Sequence, residues 1–464
     1  MSTDAATRKA AVKRAVVLRA PTTATPPAAP SADDAGPGVG VTPEEDKPGV
    51  TAPEYRHPDR WSLTAGGSQR KDWLTGKYRW TLGERFNARK VLGMPDWLEG
   101  SLEHRTRYET FDVPWRRGQT GGEHQIPLQT VLWLEANHNR FRAGFEFWDA
   151  RQFGAQPDYT LNNTMVNVAN FTQLYGAWTD LNLLDSGLAF ETKIGRQTLE
   201  LGSRRLVARN AYRNTVSAFT GLMLRLREGH GDWQVHGFVT QPVRRLPEEK
   251  EKLLNNDWAW NEEQENVLFA GLFAETSALP LALNAEIYLY YLDEKPSRIE
   301  QPLEQRNLGS RRLVTPGFRL YQPNRKGEWN FELESVAQAG KSREDRYAPE
   351  LDHAAFLQHV QFGYTFDWHW EPRVLFQYDY ASGGQTATTS HSFDSLYGAR
   401  RFELGPTGIW GPFARNNINA PGTRLFVIPH RDVTAFMAYR AWWMADAKAL
   451  WQPARLIDPS GQAG

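Results

Sequence analysis

Ala285-Glu-Ile-Tyr-Leu-Tyr-Tyr291 and Arg373-Val-Leu-Phe-Gln-Tyr-Asp-Tyr380 decide the fold class. In the first, Ala285, Ile287, Leu289 and Tyr291 alternate with Glu286, Tyr288 and Tyr290. In the second, Val374, Phe376, Tyr378 and Tyr380 alternate with Arg373, Leu375, Gln377 and Asp379. A period of two means β-strand, with successive side chains on opposite faces. One face is apolar and the other charged or aromatic-polar. The period recurs from about Trp61 onward. Leu102, Thr106 and Tyr108 alternate with Glu103, Arg105, Arg107 and Glu109; Phe141, Ala143, Phe145 and Phe147 with Arg142, Gly144, Glu146 and Trp148; Phe190, Thr192 and Ile194 with Glu191, Lys193 and Gly195. Leu222, Leu224 and Leu226 alternate with Met223, Arg225 and Arg227, and Phe331 and Leu333 with Glu332 and Glu334.

A soluble sandwich, apolar inside and charged outside, gives this pattern too. Scale favours a membrane barrel. After an Ala/Pro/Thr-rich stretch over residues 1–53, which reads as a disordered tail, roughly 410 residues remain in 54–464; at roughly 23 residues per strand and connection they supply about 18 strands. No propeller-type repeat breaks them up. A closed barrel of ~16–18 strands leaves an aqueous interior, so its polar face can be the inner one. Short linkers (Asn137-His138-Asn139, Asn324 to Gly327) and long charged ones (Gln241 to Glu265) fit turns on one rim and loops on the other.

The 464 residues carry 54 basic and 54 acidic side chains, so no global charge points to nucleic acid. There is no cysteine, hence no disulfide framework and no thiolate metal site. The 18 Trp, 16 Tyr and 23 Phe suit sugar stacking or the two aromatic girdles of a barrel. Ala435 to Ala445 is the nearest approach to an apolar span, and Arg440 interrupts it, so a helical membrane protein is excluded. Ala15-Val-Val-Leu18, between Arg14 and Arg19, is too short for a secretory signal core, so no export signal is expected in this sequence. Walker, G-x-G-x-x-G, G-x-S-x-G and H-E-x-x-H patterns do not occur, and His353, His359 and His369 stand in different local contexts. No cofactor or metal is expected.

Two motifs carry a resemblance. Ile194-Gly-Arg-Gln-Thr-Leu-Glu-Leu-Gly-Ser-Arg-Arg-Leu206, followed by Asn214 to Leu224, is similar to the signature of the bacterial alginate export family of outer-membrane porins. So is Phe393 to Gly422, with its GARRFELGPTGIWGPFAR core, whose Gly and Pro forbid a helix and make it a long loop between strands. The resemblance runs from roughly Leu102 to the carboxy end. It implies an all-β fold, a large antiparallel up-and-down transmembrane β-barrel of about 18 strands in the outer membrane of a Gram-negative bacterium. It implies no enzyme, and an electropositive lumen through which an anionic polysaccharide, alginate or a similar polyuronate, passes outward. Partners would be that polymer, outer-membrane lipids and periplasmic export and synthesis proteins. Family barrels close with a strand ending in an aromatic residue; Asp458 to Gly464 reads as a loop, so closing strands are expected to be missing at the carboxy end.

A pore for polyuronates needs fixed positive charge to compensate desolvated carboxylates, and arginine's planar fork suits them. Alternation puts Arg105, Arg107, Arg142, Lys193, Arg225 and Arg373 on the polar face; Arg319, between Phe318 and Leu320, joins them, and Arg400, Arg401 and Arg415 come from the second motif's loop, expected to fold inward. Glu103, Glu109, Glu146, Glu191 and Glu286 share that face, either as ion-pair partners or as groups that weaken the trap. Trp148, Tyr288 and Tyr290 could stack on sugar rings or simply pack the lumen. Phe147, Tyr291 and Tyr380 read as lipid-facing or girdle residues, and Trp442 and Trp443 as interface markers. Two other readings stay open: a porin of the same family for small anionic or sugar solutes, and a soluble carbohydrate-active β-protein, including a lyase or glycosidase.

Overall fold

The computed structural model of the chain describes residues 70–72, 77–79, 93–95, 97–112, 122–156, 161–210, 213–228, 232–296, 309–345, 347–399, 404, 411, 413–430, 433–449 and 451. The tail over 1–53, and Arg400 and Arg401, lie outside the described residues. In chain order the strands are β1 Arg70–Asp72, β2 Lys77–Arg79, β3 Leu98–Thr106, β4 Glu109–Phe111, β5 Glu123–His138, β6 Phe141–Phe153, β7 Asn167–Asp180, β8 Leu188–Gln197, β9 Phe219–Glu228 and β10 Trp233–Arg244. They continue as β11 Glu262–Glu263, β12 Val267–Leu279, β13 Leu283–Glu294, β14 Ser310–Tyr321, β15 Trp329–Arg343, β16 Leu351–Thr365, β17 Arg373–Ala381, β18 Thr389–Ser390, β19 Ile418–His430 and β20 Val433–Arg440. Among the described residues one short α-helix, α1 Lys250–Leu254, and two single-turn 3-10 helices, Leu183–Asp185 and Pro280–Ala282, interrupt them.

Strands β1 and β2 pair with each other; β3 to β20 form one sheet whose order comes round as a barrel. Its long strands pair in antiparallel register with the next long strand along the chain, for example Ile126↔Phe153 through to His138↔Phe141, with the short β4, β11 and β18 passed over by β3–β5, β10–β12 and β17–β19. The two-residue β18 is the exception and runs parallel to β16. Registers are continuous from β3 through β9 and β10 to β20, whereas none spans the seam between β20 and β3 among the described residues. Strand β20 also leaves consecutive side chains uncovered: Phe436, Met437 and Tyr439 are all exposed.

The two faces settle between barrel and soluble sandwich. In β13, Ile287 and Leu289 are exposed while Glu286, Tyr288 and Tyr290 are buried. In β6, Arg142, Glu146 and Trp148 are buried while Phe141 is open. Leu102, Leu222, Leu272, Val314, Phe318, Phe356 and Phe376 extend the exposed apolar belt around the sheet. A water-soluble protein does not leave so large a continuous apolar surface uncovered while burying its arginines and glutamates. The pattern is that of a barrel with a polar interior.

The rims differ. One carries tight connections: Asn139–Arg140 between β5 and β6, Pro280–Ala282 between β12 and β13, and 322–328 between β14 and β15. The other carries 198–218 between β8 and β9, 245–266 around α1 and β11, and 382–417 between β17 and β19. The charged Gln241 to Glu265 stretch is therefore not all loop; its first residues finish β10. Likewise the loop expected over 393–422 yields to β19 at Ile418.

The interior is not uniformly polar. Phe238, Phe269, Phe273, Tyr288, Tyr290, Leu292 and Leu313 form a buried apolar cluster with Leu199, Leu201, Leu206 and Val207 of the 198–218 loop and Phe393 of the 382–417 loop. Both long loops fold inward and bury apolar side chains against one sector of the wall, each such side chain contributing on the order of 1.5–3 kcal/mol.

Candidate functional site

The two sequence motifs, about 200 residues apart, meet inside the barrel. Val207 and Tyr397 form a parallel β-bridge. The Tyr397 amide donates to the Leu206 carbonyl at 3.0 Å, the Ala208 amide to the Tyr397 carbonyl at 3.2 Å, and the Ala399 amide to the Arg204 carbonyl at 2.9 Å. Gly398 allows this approach: a Cβ there would stand 1.8 Å from the Arg205 carbonyl oxygen. The Tyr397 ring lies 5.1 Å from Phe219 and 4.8 Å from Phe269, anchoring the joint to β9 and β12.

From the joint two arginines reach opposite walls. Arg205, almost wholly buried, pairs with Glu332 at 2.6 Å and also with Glu334. Glu334 further accepts from the Ser203 hydroxyl at 2.9 Å and the Tyr288 hydroxyl at 2.7 Å. Arg319 joins the same knot through Glu286 at 2.6 Å and Glu332 at 3.0 Å. Arg209 reaches the other way. Its Nη2 donates to both carboxylate oxygens of Glu146, at 2.9 and 2.7 Å, and its guanidinium lies 5.2 Å from the Trp148 ring centre. Thr198 accepts from its Nη1 at 3.1 Å. Such pairs are strongly coupled: breaking one by removing a partner strands a buried charge.

The remaining nominated cations are distributed around the wall. Arg142 pairs with Glu135 at 3.4 Å and with Glu191. Lys193, fully buried, sits 4.1 Å above the Tyr175 ring, and the Tyr175 hydroxyl donates to Glu135 at 2.7 Å. Arg225 donates to the Gln234 side chain at 2.9 Å through Nε. Arg107 pairs with Glu109 at 3.0 Å, and Arg105 donates to the Arg213 carbonyl at 2.6 Å. Arg373 lies 5.8 Å from the Phe426 ring, on the buried face of β17. Arg415 is buried and donates to the Ala399 carbonyl at 2.6 Å, so it ties the second loop to itself. Glu103 lies on the β3 face shared with Arg105.

Glu109, Glu146, Glu191 and Glu286 thus each stand against an arginine, which is the ion-pair alternative. The interior aromatics follow the packing alternative, and the reading of Trp442 needs correcting. Trp148 is sealed beneath Arg209, its Nε1 donating to the Asn214 carbonyl at 2.9 Å; Tyr288 and Tyr290 stack on each other at 5.0 Å under the loops. None offers a face to a sugar. Trp442 marks no interface either: it stacks on Phe413 at 3.7 Å, with Arg440 over it at 4.7 Å, because the 382–417 loop covers it.

Arg205, Arg209, Glu135, Glu332 and Glu334 join the site without being among the cations and carboxylates expected from alternation. Arg205 lies inside the first motif, and the two glutamates of β15 lie on the polar face of an alternation; either signal marks them. Arg209 and Arg213 sit in irregular backbone, where no period exists to assign a face.

Arg213 and Arg245 lie outside the strands. Burial holds both guanidiniums below their usual range, and Arg245, repelled also by Arg213, is held at about 10. Arg245 stays charged at neutral pH. Burial raises the Glu248 carboxyl beside them. Among the described residues no cluster of His, Asp and Glu is placed to hold a metal ion.

The family described as alginate export matches residues 96–463. A search of curated proteins found no match. Among solved structures, the chain is similar to OpdK from Pseudomonas aeruginosa with vanillate, at 12% identity over 76% of this chain and 84% of that one, with a TM-score of 0.48. It is similar also to OccAB1 from Acinetobacter baumannii, at 13% identity over 75% and 81%, with a TM-score of 0.47. A BenF-like porin from Pseudomonas fluorescens Pf-5 follows at 11% identity over 75% and 82%, with a TM-score of 0.46.

Proposed function

The chain belongs to the alginate export family, and from that premise we propose that it conducts an anionic polysaccharide, alginate or a similar polyuronate, passively outward through the barrel. It is a porin-type channel of the Gram-negative outer membrane. The observation that carries the finer reading is the joint of the two motif loops inside the barrel, ringed by guanidinium groups. A polyuronate carries about one carboxylate per sugar. To enter a narrow bore it exchanges water for fixed donors, and arginine forks meet carboxylates bidentately.

Arg105, Arg107, Arg142, Lys193, Arg225, Arg319 and Arg373 take the role of wall donors, with Arg205 and Arg209 at the constriction; Arg400 and Arg401 belong to the same loop as Arg415. Glu146, Glu191, Glu286, Glu332 and Glu334 hold these donors in fixed geometry and temper their grip. A channel must bind its cargo strongly enough to admit it and weakly enough to release it. The apolar belt of Leu222, Leu272, Ile287 and Phe376 faces acyl chains. By the rule that short turns are periplasmic and long loops external, the polymer enters at the tight-turn rim and meets the joint from within.

A second reading has one observation in its favour. The loops pack tightly on the aromatic sector and occupy interior space, which suits a small acidic solute as well as a polymer.

Vesicles loaded with fluorescent oligouronates test the first reading. Proteoliposomes should release them faster than neutral dextrins of the same length. Release of uronate monomers alone would support the second reading, and equal release of charged and neutral chains would remove charge from the account.

A further inference from the structure

At the long-loop rim a cavity of about 240 Å³ opens between four connections. Asn163 comes from 154–166, Asn210 and Arg213 from 198–218, Arg244, Arg245 and Glu248 from the end of β10 and the segment after it, and Tyr397 with Gly398 from the second motif. The volume is just below the ~300 Å³ at which pockets for drug-sized ligands begin, and suits one sugar-sized group.

Its charge is unusual for this molecule. Most interior arginines described above are held by a carboxylate. Among the described residues, Arg213 and Arg245 have none within ion-pair distance. Arg245 spends two donors on carbonyls, Nε to Asn163 and Nη1 to Val216, both at 3.0 Å. Among the described residues the Arg213 side chain makes no hydrogen bond, although its carbonyl accepts from Arg105 and Gln129. Arg244 leans away, towards Glu262 at 3.4 Å. Glu248 is the acid in the cavity lining, and Asn163 holds its Oε1 at 3.2 Å. Two like charges are kept together at a partly buried site, each with unspent donors. An anion is the group that relieves both the repulsion and the desolvation.

We propose that this cavity is a discrete binding subsite for a single sugar acid, its carboxylate received by Arg213 and Arg245 and its hydroxyls by Asn210, Asn163 and the carboxylate of Glu248. It rests on the transport reading for the choice of a sugar acid over other anions. Being at the outer rim, where Arg105 of the wall reaches the Arg213 carbonyl, it would hold one unit of an emerging chain, or a free acidic sugar.

The test is calorimetric titration of the detergent-solubilised full chain with D-mannuronate, D-mannose and inorganic phosphate. The subsite predicts saturable binding of mannuronate, weaker binding of phosphate and none of mannose. Arg213→Gln should weaken mannuronate binding at least tenfold; since that guanidinium has no hydrogen-bond partner among the described residues, the barrel should keep its heat-modifiable migration. Arg245→Lys keeps the charge but loses the fork, and should weaken binding less than Arg213→Gln does. Equal binding of mannose and mannuronate, equal binding of phosphate, or unchanged affinity in Arg213→Gln would each overturn the proposal. Oligouronate release from vesicles without monomer binding would sink the subsite and leave transport standing. Binding without release would do the reverse.

Discussion

The buried face of β5–β8 and the buried face of β10–β13 differ in the balance of their chemistry. The first is richer in polar and charged groups: Gln125, Gln129, Glu135, Arg142, Glu146, Glu191 and Lys193 stand beside Trp133 and Trp148. The second is richer in aromatics: Phe238, Phe269, Phe273, Tyr288 and Tyr290 stand beside Glu286. Both belong to one sheet with one alternation, and both turn an apolar outer face. The difference lies in what each inner face meets. The aromatic sector is covered by the inward loops and behaves like a protein core. The charged sector meets Arg209 and is held by ion pairs. A barrel wall is therefore not simply polar inside; it is polar where charged groups pair across it and apolar where the inward loops pack on it.

The sharpest way to break the comparison is at the charged contact. Arg209→Met should cost about 3–5 kcal/mol, because the Glu146 carboxylate is left buried without its guanidinium. Adding Glu146→Leu should recover most of that loss. Thermal unfolding in detergent reads both, and a double variant as unstable as the single one would mean that the pair is not the source. Phe269→Ala attacks the aromatic sector, where no charge rescue exists. It should cost about 3–4 kcal/mol by lost burial and cavity formation. It should also free the Tyr397 ring and make single-channel current noisier; quiet current would show that the loops do not depend on this anchor.

The joint itself is probed by Gly398→Ala. The added methyl meets the Arg205 carbonyl, so about 1–3 kcal/mol of overpacking is expected, with a rise in conductance as the loops part. Unaltered conductance would place the constriction elsewhere. The smallest effect should come from Arg204→Ala. Its pair with Glu200, at 3.0 Å, has both side chains about a quarter exposed, so less than about 1 kcal/mol is expected. A large loss there would contradict the distinction between buried and surface pairs.

The wall was readable from the chain because a period of two needs no long-range information. Glu286 against Ile287, and Arg142 against Phe141, announce their faces locally. The pairings were not readable. Arg319 to Glu286 follows from register, but Arg205 to Glu334 spans 129 residues and depends on a loop whose path carries no period. The apolar inner sector was visible as Tyr288 and Tyr290 on the supposedly polar face. Its purpose was not, since nothing local says that Leu206 and Val207 will lie on it. The same holds for Trp442, whose partner Phe413 sits in the second motif.

If charge at the interior joint recognises an acidic polymer, single-channel current in a planar bilayer, with oligomannuronate added on the short-turn side, will reveal it. The pore should be anion-selective, blocked by the uronate in a concentration-dependent way and untouched by a neutral dextrin of equal length. A cation-selective pore, or equal block by the two sugars, would contradict it.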